Sequence, residues 1–144
     1  MILLDTTILV YAVGADHSLR SPCSQLLEWV ADGSVRATTT LEAVQEFTRI
    51  RAIRRTRADA AALGRNYAIA LSPLVQPALE DLLEGLELYR RVTSLGSFDA
   101  VLAVTARRRG WCLVSADRGF ARVAGLTHLN PSSSSFLGAV RAAG

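Results

Sequence analysis

Short apolar runs of strand character alternate along this chain with longer stretches of helical character, and that alternation leaves few folds open. Ile2–Leu4 is a three-residue apolar run that stops at Asp5 and is followed by a further apolar stretch. SPCSQLLEWVADG predicts a helix with Ser21 as its cap, Pro22 at its first position and Gly33 as its stop. SVRATTT, with its β-branched residues, predicts a second strand. In LEAVQEFTRIRAIRRTR, Leu41, Val44, Phe47, Ile50 and Ile53 recur every three positions, which predicts an amphipathic helix. RADAAALGRNYAIAL predicts another helix, and SPLVQP a short extended segment between two prolines. ALEDLLEGLELYRR places Leu79, Leu82, Leu83 and Leu86 on one helical face. SFDAVLAVTARRRG predicts a helix with Ser97 near its start and Gly110 after its last turn. WCLVSADRGF predicts a buried strand turning at Asp117, LTHLNP an edge strand, and SSSSFLGAVRAAG a short terminal helix after a serine linker. Strands alternating with helices imply an α/β fold with a parallel sheet covered on both faces. In such folds ligands bind outside the carboxyl ends of the strands.

The composition narrows the function classes. The 144 residues fit one domain over 1–144, and half of them are hydrophobic, so the chain is long enough and apolar enough to build a core. No apolar run approaches the ~18 residues of a membrane helix. The N-terminus lacks the basic region and cleavage site of a signal peptide, so the expected location is cytoplasmic, with no membrane partner. Cys23 and Cys112 lack a CxxC or CxxH partner motif, which argues for buried, inert thiols and against zinc. His17 and His128 likewise have no partner motif and read as surface or structural. All 16 basic residues are arginine, and the net charge of +3 permits nucleic-acid binding without requiring it.

Four carboxylates stand out together. Singly, each has an ordinary reading. Asp5 and Asp117 fit turn residues, Asp99 fits the first turn of a helix, and Glu46 fits a solvated helix face. In a parallel α/β fold, however, Asp5 and Asp117 end two strands at the same sheet edge, and the helix N-terminus carrying Asp99 points there too. Glu46 follows the second strand and borders the buried Phe47. Four carboxylates gathered at one edge repel one another and raise their pKa values unless a cation balances them. A hard divalent cation with oxygen ligands answers that need and suits chemistry on phosphate.

The motifs ILLDTTIL, TTTLEAVQEFTRI, SFDAVLAVTA and LVSADRGFARVAGL, in this order and at this spacing, resemble the PIN-domain family, specifically the VapC-type toxin ribonucleases of bacterial toxin–antitoxin pairs. The resemblance covers nearly the whole chain. It implies a three-layer α/β/α fold around a central parallel sheet of four to five strands. It implies a metal-dependent endoribonuclease that leaves a 5′-phosphate and a 3′-hydroxyl. Asp5, Glu46, Asp99 and Asp117 match the family's four acidic positions, Thr6 the hydroxyl residue beside the first, and Ser115 the Ser/Thr position before the fourth. The cofactor implied is Mg²⁺, with Mn²⁺ able to substitute. Asp5 and Asp99 would ligate directly. Asp117 would hold a second ion or orient one through water, and Glu46 would ligate or act as base. Where many members carry a further Asp, this chain has Gly119, which leaves four carboxylates rather than five. The implied partners are an RNA substrate, a VapB-type antitoxin and a second copy in a homodimer, for which the helices at 58–71 and 79–92 offer apolar faces. Arg49, Arg51, Arg54 and Arg55 suit contacts with RNA or the antitoxin, or equally a solvated helix end.

Two other readings compete. A hydrophobic strand ending in Asp also opens aspartyl-phosphate phosphohydrolases, but those need a second Asp at the position of Thr7 and a lysine that this chain lacks. A catalytically inactive PIN-like module that binds only RNA or a partner would have no need to keep four uncompensated carboxylates together.

Overall fold

The computed structural model of the protein describes residues 1–144. Its elements follow one another as β1 (Ile2–Leu4), α1 (Thr6–Ala12), α2 (Arg20–Ala31), β2 (Ala37–Thr39), α3 (Leu41–Arg54), α4 (Arg57–Ala70), α5 (Leu79–Arg91), α6 (Ser97–Arg108), β3 (Cys112–Val114), a 3-10 turn (Arg118–Arg122), β4 (His128–Leu129) and α7 (Phe136–Ala143). The four strands form one parallel sheet in the order β2-β1-β3-β4. A single parallel bridge from Thr40 to Val75 extends the β2 edge.

Strand alternation sorts the core into two layers. Ile2 and Leu4, with Cys112 and Val114, face a cluster built with Ile8, Leu9, Cys23, Leu26, Phe47, Tyr67, Phe136 and Val140. Leu3 and Leu113 point the other way, into a cluster with Leu88, Leu95, Phe120 and the inner face of α6. Helices therefore cover both faces, the arrangement a parallel sheet requires. The chain leaves β1 toward β2 on one side, while β3 pairs on the other. The carboxyl ends of β1 and β3 thus flank the point where strand order reverses, where open α/β sheets bind ligands.

Two local expectations differ from the structure, and one stretch that the sequence leaves without an element acquires one. The apolar stretch after Asp5 is a helix, because the Asp5 side chain accepts the Thr7 N–H and caps it despite the β-branched residues that follow. The second helix starts at Arg20 after Leu19, so Ser21 lies inside it rather than capping it; Pro22 still falls in the first turn, where its missing N–H costs nothing. On α3 the three-residue spacing is only partly buried. Phe47 is inside, but Leu41 and Ile53 are exposed at 38% and 74%. Steps of three residues fall 60° short of a full turn, so the row winds off the buried face as it lengthens.

Candidate active site

The N-cap position of α1 fixes the first acid. Asp5 is 4% exposed. Its Oδ2 accepts the Thr7 hydroxyl at 2.6 Å, the Ser115 hydroxyl at 2.7 Å and the Thr7 amide at 3.4 Å. All these donors reach one oxygen, and Asp5 lines both openings. Burial raises the Asp5 pKa, and the hydrogen bonds from Thr7 and Ser115 offset part of that rise.

The other acids repeat the pattern. Asp99 is the third residue of α6, and one of its oxygens accepts the Gly96 amide at 3.2 Å. Asp117 caps the 3-10 turn, with one oxygen accepting the Gly119 amide at 2.7 Å. Glu46, on α3, accepts the Thr6 hydroxyl at 2.8 Å. Burial, followed by the charges of Asp5, Asp117 and Glu46, pushes the Asp99 carboxyl up to about 6, and the Gly96 amide opposes that rise. Three of the four acids sit at helix or turn N-termini, whose partial positive charge favours carboxylates. That compensation is incomplete, as the raised Asp99 shows. The one cation paired with any of them is Arg49, 4.0 Å from Glu46 with both side chains exposed; Asp5, Asp99 and Asp117 enter no ion pair.

Asp5, Glu46 and Asp99 line two openings on either side of the same centre. One, of about 610 Å³, runs between α3, α5 and α6 and carries Leu79, Leu82, Leu86 and Phe98. The other, of about 520 Å³, also takes in Asp117 and runs past Tyr11, His17 and Arg54. No three Asp, Glu, His or Cys side chains are drawn together into a ready coordination cage. The acids stand around the openings instead. Oxygen-only donors, a deeply buried carboxylate with no cationic partner, and an Asp99 raised by its neighbours form a donor set that fits a hard divalent cation. Thiol chemistry has no place here: both cysteines are buried and free, and burial pushes their thiols up to about 12 at Cys23 and about 11 at Cys112.

The hydroxyls at Thr6 and Ser115 each hold an acid in place, and so does Thr7, which motif reading passes over. The Thr7 hydroxyl receives the Ala116 amide at 3.0 Å while donating to Asp5, so it ties the two strand ends together. A hydroxyl two residues after a strand-end Asp was the available signal. Of the four arginines, Arg51 is committed elsewhere. It makes a two-point ion pair with Asp59 and donates to the Val13 carbonyl at 3.2 Å. Arg54 and Arg55 enter no ion pair, and Arg54 lines the second opening. His128 is structural, with its Nε2 3.0 Å from the Ser115 carbonyl.

Gly119, where a fifth acid was conceivable, is closed to any side chain. A Cβ there would meet the Ser94 carbonyl oxygen at 2.9 Å, Asp117 Oδ1 at 3.1 Å and Leu95 Cδ2 at 3.2 Å. Gly119→Ala is expected to cost about 1–3 kcal/mol through overpacking against backbone, measured as a lower midpoint in denaturant. An unchanged midpoint would show that the Ser94–Leu95 segment yields freely.

Comparison with known proteins adds four findings. A sequence model described as the PIN domain matches residues 2–126. Ribonuclease VapC7 of Mycobacterium tuberculosis is 47% identical over 135 residues, covering 92% of this chain and 93% of that protein. Ribonuclease VapC13 of the same organism is 32% identical, covering 90% of this chain and 99% of its own. In the crystal structure of VapBC2 from Rickettsia felis bound to a DNA fragment from their promoter, a chain superposes with a TM-score of 0.68 at 19% identity, over 90% of this chain and 98% of that one.

Proposed function

Because this chain belongs to the PIN-domain family and to its VapC ribonucleases, we propose that it is a metal-dependent endoribonuclease, the toxin of a toxin–antitoxin pair, hydrolysing RNA at the Asp5–Glu46–Asp99–Asp117 centre. The observation that carries this reading is the set of carboxylates at the strand switch point, one of them raised to about 6, with no cation of the chain to balance it. Asp5 and Asp99 are the direct ligands in this reading, and Asp117 holds or orients an ion from the β3 side. When bound, a hard divalent ion, Mg²⁺ or Mn²⁺, supplies charge neutralisation at the phosphodiester and a lowered pKa for water. Glu46, which accepts the Thr6 hydroxyl, ligates the ion or takes a proton from the attacking water in this reading. Thr7 and Ser115 keep Asp5 in one orientation, so the carboxylate meets an ion without reorganisation.

The partners follow from the surface. The leucines that the sequence puts on one face of α5 are unburied, with Leu79, Leu83 and Leu86 exposed at 65%, 59% and 47%. An apolar surface of that kind suits a protein partner. We assign the groove over Leu79, Leu82, Leu86 and Phe98 to an antitoxin segment. The outer faces of α4 and α5, with Ile69 and Leu83, are assigned to a homodimer contact. Arg49, Arg54 and Arg55 remain for RNA or antitoxin contacts. No helix is long and apolar enough to cross a membrane.

Purified protein incubated with total RNA should produce discrete 5′-phosphate ends in Mg²⁺ and none in chelator, read by sequencing the new ends. Ends that persist in chelator would remove the metal centre from the reading. RNA that is bound but uncut would favour the inactive binding module.

A further inference from the structure

The two openings differ in character, and that difference bears on how RNA lies across the centre. The α5–α6 groove presents leucines. The other opening is lined by Tyr11, Gly14, Asp16, His17 and Arg54 beside the carboxylates. We propose that Tyr11 and His17 form a stacking platform for the base next to the scissile phosphodiester, with Arg54 meeting the adjoining phosphate. This rests on the ribonuclease reading above.

Three observations carry it. First, the rings are already in contact: Tyr11 and His17 lie 4.8 Å apart between centroids, with planes tilted by 32°. Tyr11 is half-buried and packs on the core, so the inner ring is anchored, while His17 lies exposed outside it. Second, the outer ring is fixed in orientation. His17 Nδ1 accepts the Leu19 amide at 3.1 Å, which leaves the proton on Nε2. The loop reaches this position by a tight exit from α1 at Gly14, where a Cβ would meet the Val10 carbonyl oxygen at 2.9 Å. A held pair of flat rings loses little freedom when a base is added. Third, distance and charge fit. Tyr11 lies six residues along α1 from Asp5, about 9 Å at the helical rise. Arg54 opens on the same cavity without a carboxylate partner. Asp16 lines it too and would repel phosphate, so the ring pair takes a base rather than the backbone. Unpaired bases stacking on aromatic rings, with cations along the backbone, are how single-stranded RNA is held.

The test is an abasic scan through an RNA oligonucleotide that the wild type cuts at a mapped site. With wild type, removing one base beside the scissile bond should lower kcat/KM by about tenfold. His17→Ala and Tyr11→Leu should cut the intact oligonucleotide about tenfold more slowly and lose their sensitivity to that same abasic position. Tyr11→Phe, which keeps the ring, should keep the sensitivity to that abasic position. His17 is exposed, so its replacement leaves the core untouched, and leucine keeps the apolar packing of Tyr11. If the scan is identical for wild type and both variants, the platform is wrong while the ribonuclease reading stands. Variants that cut normally but bind antitoxin less tightly would make the pair a protein contact and overturn it. If wild type cuts no RNA, the ribonuclease reading fails and the platform fails with it.

Discussion

Asp99→Asn is expected to abolish RNA cleavage while raising the melting temperature of the metal-free protein. The two effects have one cause. In the proposed mechanism this carboxylate holds a divalent ion, a contribution worth several kcal/mol, so its loss should lower the cleavage rate at least about a thousandfold. The same carboxylate is disfavoured when no ion is present. Its pKa rises from the ordinary 3.8 to about 6, by burial first and then by Asp5, Asp117 and Glu46. A carboxyl with a folded pKa above its unfolded one binds protons on folding. Its ionisation therefore weighs against the fold, with a penalty that is absent below about pH 4, grows as pH rises toward 6, and is constant above. The full shift would correspond to about 3 kcal/mol, and solvent screening of a partly exposed group reduces that to about 1–2 kcal/mol. Asparagine keeps an oxygen for the Gly96 amide and removes the charge. In chelator at pH 7.5 the variant should melt about 3–6 °C above wild type, and the two melts should converge at pH 4. A variant that melts well below wild type would mean that the charge of Asp99 supports the fold. A variant that cleaves at the wild-type rate would remove Asp99 from the centre.

That pairing of effects shows why the acids were legible in the sequence only as a group. The modest reading holds for the same side chains to which the functional one is proposed. Asp5 does cap a helix, and Asp99 and Asp117 do accept backbone amides at helix or turn starts. Each spends one oxygen on its cap, and capping alone would have explained any of them singly. What separates the readings is their shared location, and that follows from the parallel topology that strand–helix alternation already implies. Glu46 is different in kind. Its one local mark is its place beside Phe47, and its hydrogen bond with Thr6 joins residues 40 apart. Thr7 was legible in principle but carried no motif.

The fold was legible where burial follows a short period and illegible where it depends on distant partners. Three-residue strands in the middle of a parallel sheet read as continuous apolar runs. The first helix after β1 did not read as one, since Ile8 and Val10 look extended until the cap at Asp5 is recognised. Arg51 looked like part of a free basic run because its partner Asp59 lies beyond a helix break. The exposed leucines of α5 had a clear helical period, but a period says only that one face is apolar, not whether this chain or another molecule covers it.

Asp81 was invisible for the same reason, and replacing it should have the largest effect on stability away from the centre. Its side chain is 3% exposed, 3.1 Å from Arg108 and 2.9 Å from Arg109 at the far end of α6, and it accepts the Ala78 amide at 3.0 Å that opens α5. Nearby, Glu84 pairs with Arg107 and Arg108. The helices touch closely enough at Gly85 that a Cβ there would meet the Val101 Cα at 2.8 Å. Asp81 thus fastens one end of the helix whose other end presents Asp99. Burial alone would raise its carboxyl, but the Ala78 amide, Arg109 and Arg108 outweigh that and hold it below the usual carboxylate range. Asp81→Ala removes a cap worth about 1 kcal/mol and one partner of a buried ion cluster. Because Arg108 and Arg109 are partly exposed and can rehydrate, the total should be about 3 kcal/mol, short of the ~3–5 of a fully buried pair. That is a fall of about 10 °C in melting temperature at pH 7. A depressed carboxyl stabilises above its unfolded pKa and ceases to do so as pH falls, so the gap between wild type and variant should narrow below about pH 4. The two substitutions therefore act in opposite directions at neutral pH, and α6 carries both effects. An Asp81→Ala protein that melts with wild type at pH 7 would mean the cluster merely occupies surface between the helices. A loss of about 3 kcal/mol that shrinks in acid would show that the centre's most crowded carboxylate is held in place by an ion cluster at the opposite end of its helix.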